Sequence, residues 1–186
     1  MKRVATTRRT TSRRTFLRET LTGAALLSAA KLLPFESLLA GEYQGVPNGL
    51  LFFSPKEYQI FEAVTDRLIG SPGTGNPGSR DVGVAVRADK FLAGANPEVG
   101  EQFHQLLSVF NAPLFTFLFD FRTSSFLNMA PKDQDSYLED WMTSVLGFRR
   151  TGFQALKRVS MSMFYTDKAS WQAIGYDGMF MPGDRK

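Results

Sequence analysis

Four groups of residues have the types and spacing that chemistry asks for. Glu101 and His104 stand in the Glu-x-x-His register with which helical bundles hold paired metal ions. Such a centre takes the motif from two helices and adds two more glutamates. His104 is the chain's single histidine, so the second half has no residue to build it. Gly73, Gly75 and Gly78 match the dinucleotide fingerprint, and Glu98 follows twenty residues on. That chemistry needs a strand before the first glycine and a helix close behind, so that backbone N–H groups face a pyrophosphate. A helical pattern precedes these glycines and Pro77 interrupts them, so the segment reads as a loop between helices. Asp133/Asp135 and Glu139/Asp140 are carboxylate pairs, and on a helix that starts at Pro131 they read as a solvated face that complements the helix dipole. A lone histidine without a Gly-x-Ser-x-Gly elbow leaves a hydrolase triad without a frame. The expectation is therefore a chain with no catalytic residue, no metal ligand and no cofactor-binding residue of its own.

The elements that would position such groups read as helices. Ser54-Pro55-Lys56-Glu57 carries a capping box with proline at the first helical position. Tyr58, Phe61, Val64, Leu68 and Ile69 then share one face, and Gly70 offers a stop. A short helix is predicted through Val84, Ala88, Phe91 and Leu92. Another opens at Asn96-Pro97-Glu98 with the stripe Phe103, Leu106, Leu107, Phe110 and Leu114, to be kinked or broken at Pro113. Pro131 starts one bearing Leu138, Trp141, Met142 and Val145, and residues 149–164 make one with Phe153, Leu156, Val159, Met163 and Phe164. A last turn spans Ala169–Ile174 before Gly175. No run of β-branched residues alternates as a strand would. The fold class is all-α: a small irregular domain of about five or six helices over residues 41–186, behind a signal segment over residues 1–40.

The formal charge of +4 is uneven along the chain. Residues 1–40 hold eight Lys/Arg against Glu19 and Glu36, whereas residues 41–186 hold fourteen against sixteen Asp/Glu. A nucleic-acid binder needs its positive charge on the folded domain, so nucleic acid is not an expected partner. The absence of cysteine excludes disulfides, thiolate zinc sites, iron–sulfur clusters and c-type haem attachment in this chain.

The basic leader has the order of a secretory signal. Seven Lys/Arg fall in residues 2–18 with no acid, and the apolar stretch from Leu21 to Ala30 follows. Within it Ser12-Arg13-Arg14-Thr15-Phe16-Leu17 is the paired-arginine address that a twin-arginine translocase reads, with Arg13, Arg14, Phe16 and Leu17 as its export residues. Lys31 and Pro34 cut the apolar block short of a membrane span. The expected location is the periplasm, reached by the route that carries folded proteins.

Seventeen phenylalanines are the oddest feature of the remainder, and six crowd residues 110–126. Asn111, Pro113, Asp120 and Arg122 make that segment a poor membrane span. Phe115, Phe117, Phe119 and Phe121 alternate, so one helix would spread them round more than one face. Core packing, a partner covering one side, or a pocket for an apolar small molecule in a free-standing exported protein would each account for them. Met179-Phe180-Met181 adds soft side chains of the kind that adapt to a partner.

Three segments carry a resemblance: Ser54-Pro55-x-Glu57 through Phe61, Ala63 and Asp66-Arg67-Leu68-Ile69; Pro77-Gly78-Ser79-Arg80-Asp81-Val82-Gly83-Val84 running to Asp89; and Phe164-Tyr165-Thr166-Asp167 through Trp171, Ile174 and Gly175-Tyr176-Asp177-Gly178. In order and spacing the chain resembles the small third (gamma) subunit of bacterial membrane-associated flavin-dependent sugar and sugar-acid dehydrogenases, typified by gluconate 2-dehydrogenase. Gly70 departs from the family's usual proline, and the Phe-rich middle is atypical. The resemblance implies a non-catalytic accessory subunit, in which a large GMC-type partner holds FAD and oxidises the sugar. A c-type cytochrome subunit would take the electrons and associate the complex with the inner membrane. This chain would bind the large subunit and support its maturation and twin-arginine export. The candidate interface is Phe115, Phe117, Phe119, Tyr165, Trp171, Tyr176, Met179, Phe180 and Met181.

Overall fold

A computed structural model describes residues 45–70 and 77–176, all within the unit Ala40–Lys186. The export residues Arg13, Arg14, Phe16 and Leu17, the glycines Gly73 and Gly75, and Met179, Phe180 and Met181 lie outside the described residues. Among those described, the elements are α1 (Pro55–Ile69), α2 (Ser79–Val82), α3 (Val84–Ala93), α4 (Pro97–Phe110), α5 (Pro113–Asp120), a 3-10 turn (Phe126–Asn128), α6 (Pro131–Thr143), α7 (Gly147–Tyr165) and α8 (Lys168–Ala173). No strand occurs among them, and the fold is all-α as the sequence predicts.

Local chemistry sets the boundaries. The Ser54 hydroxyl accepts from the Glu57 N–H, and the Glu57 carboxylate accepts from the Ser54 N–H at 2.9 Å, closing the predicted capping box. Asn96 caps α4 by accepting from the Glu98 N–H. Gly83, at φ 68°, ends α2 and begins α3, a left-handed geometry that suits glycine. Two divisions raise the helix number above the five or six expected. One is this hinge; the other is Asn111-Ala112-Pro113, where the proline ring cannot continue α4 and starts α5 instead.

Several apolar residues that the sequence places on helix stripes stand in solvent. Leu114 belongs to α5 and is exposed. Val145 falls beyond the end of α6, where Ser144 turns extended, and Met142 lies on that helix's outer side. Phe91 sits at the rim of the α3 face formed by Val84, Ala85, Ala88, Asp89 and Leu92.

The two long helices form the centre. α7 packs against α1, α3, α6 and α8, while α1 also meets α2, α3, α4 and the 3-10 turn. Seven of the fourteen described phenylalanines are buried in this core. Phe53, Phe61 and Phe103 group with ring centroids 5.4–6.2 Å apart, and Phe110, Phe126, Tyr137 and Trp141 form a second cluster. Burying a side chain of this size contributes about 1.5–3 kcal/mol. Gly152 lets α7 approach closely, since a Cβ there would stand 2.6 Å from Leu106 Cδ1 and 2.8 Å from Trp141 Cζ3. Buried Asp89 accepts from the N–H groups of Leu51, Phe52 and Phe53 at 2.8–2.9 Å, which ties the segment ahead of α1 onto α3.

Candidate partner-binding faces

The Phe-rich segment resolves into a helix with two different sides. Thr116 of α5 is fully buried and donates its hydroxyl to the Pro113 carbonyl at 2.8 Å; the Ser124 carbonyl oxygen lies 3.0 Å away. Phe115 and Phe119 are half-buried and stack at 5.9 Å, and Phe119 meets Phe148 of α7 edge-on. The outer side carries Leu114, Phe117, Leu118 and Phe121, which are 53, 51, 58 and 84 % exposed. Of the expected trio, then, Phe117 faces solvent while Phe115 and Phe119 face the domain. Alternation counted in phenylalanines concealed the ridge, because two of its four members are leucines. Its signal is the i, i+3, i+4 spacing of Leu114, Phe117 and Leu118 on a helix that starts at Pro113, with Phe121 following at i+7.

Phe121 closes α5 in an unusual way. Its φ of 54° and ψ of 27° place it in the left-handed region, and the Arg122 N–H reaches back to the Thr116 carbonyl at 3.2 Å. Glycine is the usual residue at such a closure, and a side chain there costs about 1–2 kcal/mol.

The end of α5 is anchored by a buried ion pair. Arg149 Nη2 donates to both carboxylate oxygens of Asp120 at 2.9 Å, and the two side chains are 6 and 7 % exposed. The guanidinium carbon lies 5.4 Å from the Trp141 ring centroid and 5.9 Å from those of Phe119 and Tyr137. Beside it, burial pushes the Tyr137 hydroxyl well above its ordinary pKa, and that hydroxyl donates to the Phe110 carbonyl at 2.9 Å. Arg122 reaches Asp140 at 3.0 Å and Ser136 at 2.9 Å. Asp135 lies 3.7 Å from Arg67, and Asp133, Asp135 and Glu139 are exposed. The carboxylate pairs thus serve ion pairs and solvent.

Tyr165, Trp171 and Tyr176 gather at the other end of α7. The Trp171 indole N–H donates to the Tyr165 carbonyl at 2.8 Å, and its ring meets Tyr176 edge-on at 5.2 Å. Tyr165, Ile174 and Tyr176 are 44, 58 and 45 % exposed. The helical rise separates Tyr165 from Arg149 by roughly 24 Å. The described members of the expected interface therefore fall into two groups, one at each end of α7.

The single histidine has a structural partner. His104 Nδ1 lies 2.8 Å from Glu57 Oε1, and the ring stacks on Phe52 at 4.2 Å. Among the described residues no three His, Asp or Glu side chains come together as a metal site, and no helix is long and apolar enough to cross a membrane.

A cleft of about 660 Å³ opens beside α1, lined by Tyr58, Glu62, Thr65, Ser79, Arg80 and Leu127 among others, with none of its lining from α5. Arg80 bridges Asp66 at 2.8 Å and Glu62 at 3.4 Å. Burial pushes the Tyr58 hydroxyl up to about 12, helped by Glu62. Burial also raises Glu62, with Arg80 acting in the opposite sense. A carboxyl raised on folding contributes stability that is full below its unfolded pKa and lost as pH rises through the folded one. Glu62→Gln is therefore expected to gain stability relative to the unmodified chain between pH 4 and pH 7, on the order of 1 °C in Tm. Melting curves at the two pH values check the sign.

Among the described residues, then, the domain is all-helical, its histidine is paired with Glu57, and apolar side chains stand exposed at both ends of α7. The profile of the gluconate 2-dehydrogenase subunit 3 family matches residues 55–178, about two thirds of the chain, and the chain belongs to that family. No curated protein and no solved structure shows significant similarity to it.

Proposed function

We propose that this chain is the non-catalytic accessory subunit of an exported FAD-dependent dehydrogenase acting on a sugar or sugar acid. It binds the large GMC-type subunit that carries FAD, supports its maturation, and supplies the twin-arginine address for both. The observation that carries this reading is the subunit 3 match over residues 55–178, which follows a leader containing Arg13-Arg14. A flavoprotein must fold around its cofactor inside the cell. A translocase for folded proteins lets it leave on a signal-bearing companion, which places the working complex in the periplasm, with a c-type cytochrome subunit as electron acceptor.

The test is co-expression with the flavoprotein encoded beside this chain and purification through a tag on this chain. Stable recovery of a flavin-containing large subunit is expected; recovery of this chain alone under every condition sinks the reading. Replacing both Arg13 and Arg14 with lysine should leave both subunits in the cytoplasm, as read by fractionation. A large subunit still found in the periplasm would separate export from binding.

A further inference from the structure

We propose that α5 is a docking ridge, with Leu114, Phe117, Leu118 and Phe121 seated in an apolar groove on the FAD-bearing large subunit. This rests on the accessory-subunit reading and specifies its contact. Leu114, Phe117 and Leu118 fall at i, i+3 and i+4 on α5, the spacing with which one helix face fills a groove, Phe121 follows as the residue that closes the helix, and each of the four is more than half exposed. Charge selects the occupant. Between Pro113 and Phe121 the sole charged residue is Asp120, and its carboxylate is buried against Arg149. A charge-free ridge complements an uncharged groove, and it lacks the Lys and Arg with which a surface helix holds an anionic membrane.

Backbone strain points the same way. Phe121 keeps a left-handed conformation that glycine would adopt freely, and presents a ring that is 84 % exposed. A strained, solvated aromatic at a helix end marks a contact surface. The Thr116 clasp and the Asp120–Arg149 pair hold the ridge in place before any partner arrives, which lowers the ordering cost of association.

The experiment uses the full chain carrying Phe117→Glu and Leu118→Glu, co-expressed with the large subunit encoded beside it and captured through a tag on this chain. Recovery of the large subunit is expected to fall at least tenfold, with the circular dichroism and melting temperature of the isolated chain unchanged. Phe91→Glu, on exposed apolar surface elsewhere, should recover the large subunit as the unmodified chain does. Phe121→Gly supplies a second reading: an equal or higher melting temperature with reduced recovery. Should the double charge unfold the chain, unchanged recovery with Phe121→Gly overturns the ridge.

Equal recovery by the double variant and the unmodified chain overturns the ridge and leaves the accessory-subunit reading standing. Failure of the unmodified chain to hold the large subunit overturns that reading, and the ridge with it. The ridge is also overturned if the chain alone is a dimer that the double variant makes monomeric, which identifies a second copy as occupant. Flotation with phosphatidylcholine–phosphatidylglycerol vesicles that the double variant abolishes would instead identify a lipid surface, and overturns it equally.

Discussion

Asp89→Ala is expected to lower the stability of this domain by about 3 kcal/mol and its Tm by roughly 10 °C. The reason is the number of donors that one carboxylate satisfies. Asp89 is 3 % exposed and accepts from three consecutive backbone N–H groups, those of Leu51, Phe52 and Phe53. Each bond to a charged acceptor is worth about 1.5–3 kcal/mol, and removing the acceptor leaves donors that must find water or remain unpaired. Leu51 and Phe52 can be reached by water; Phe53, buried at 4 % exposure, cannot without opening the cluster it shares with Phe61 and Phe103. Asp89→Asn keeps one acceptor oxygen but turns an NH2 group toward a donor, so it should lose at least half as much. Urea titration and thermal melts of the purified chain measure both. An Asp89→Ala variant melting within about 2 °C of the unmodified chain would show the segment to be held by its aromatic packing alone.

Asp89 also shows what was legible in the sequence and what was not. Punctuation was readable: Ser54-Pro55-x-Glu57 fixed the start of α1, Asn96-Pro97 that of α4, and Pro131 that of α6, because capping and ring geometry act within a few residues. The long-range use of a polar residue was not. An aspartate among Val84, Ala88 and Leu92 looks like the wet side of an amphipathic helix, and its three donors come from 36 to 38 residues earlier. Arg149 posed the same difficulty, since a cation at the start of α7 reads as solvated until Asp120 is placed beside it. The candidate site was half visible. The surplus of phenylalanine fitted core, partner surface and pocket alike; half of the described rings are buried in the core, and the outward ridge follows only once Pro113 sets the phase of α5.

The buried pair that seats α5 carries the other large expectation. Arg149→Met leaves the Asp120 carboxylate buried without its cation, and Asp120→Ala leaves the guanidinium among the Trp141, Tyr137 and Phe119 rings without its anion. Each single change should cost about 3–5 kcal/mol, because desolvation of the remaining charge is no longer offset. The double variant should cost much less than the sum, since no lone charge stays behind and methionine refills much of the space among the rings. A complete double-mutant cycle in urea measures the coupling, and additive losses would show that the two side chains act independently. Arg149 Nε is buried without a protein partner, so the native pair already bears one unsatisfied donor and the double variant relieves it. Because the pair binds the last residue of α5 to the first turn of α7, the same cycle bears on the ridge. Where the double variant folds, its α5 has lost its anchor, and it should capture less large subunit than its stability alone would imply.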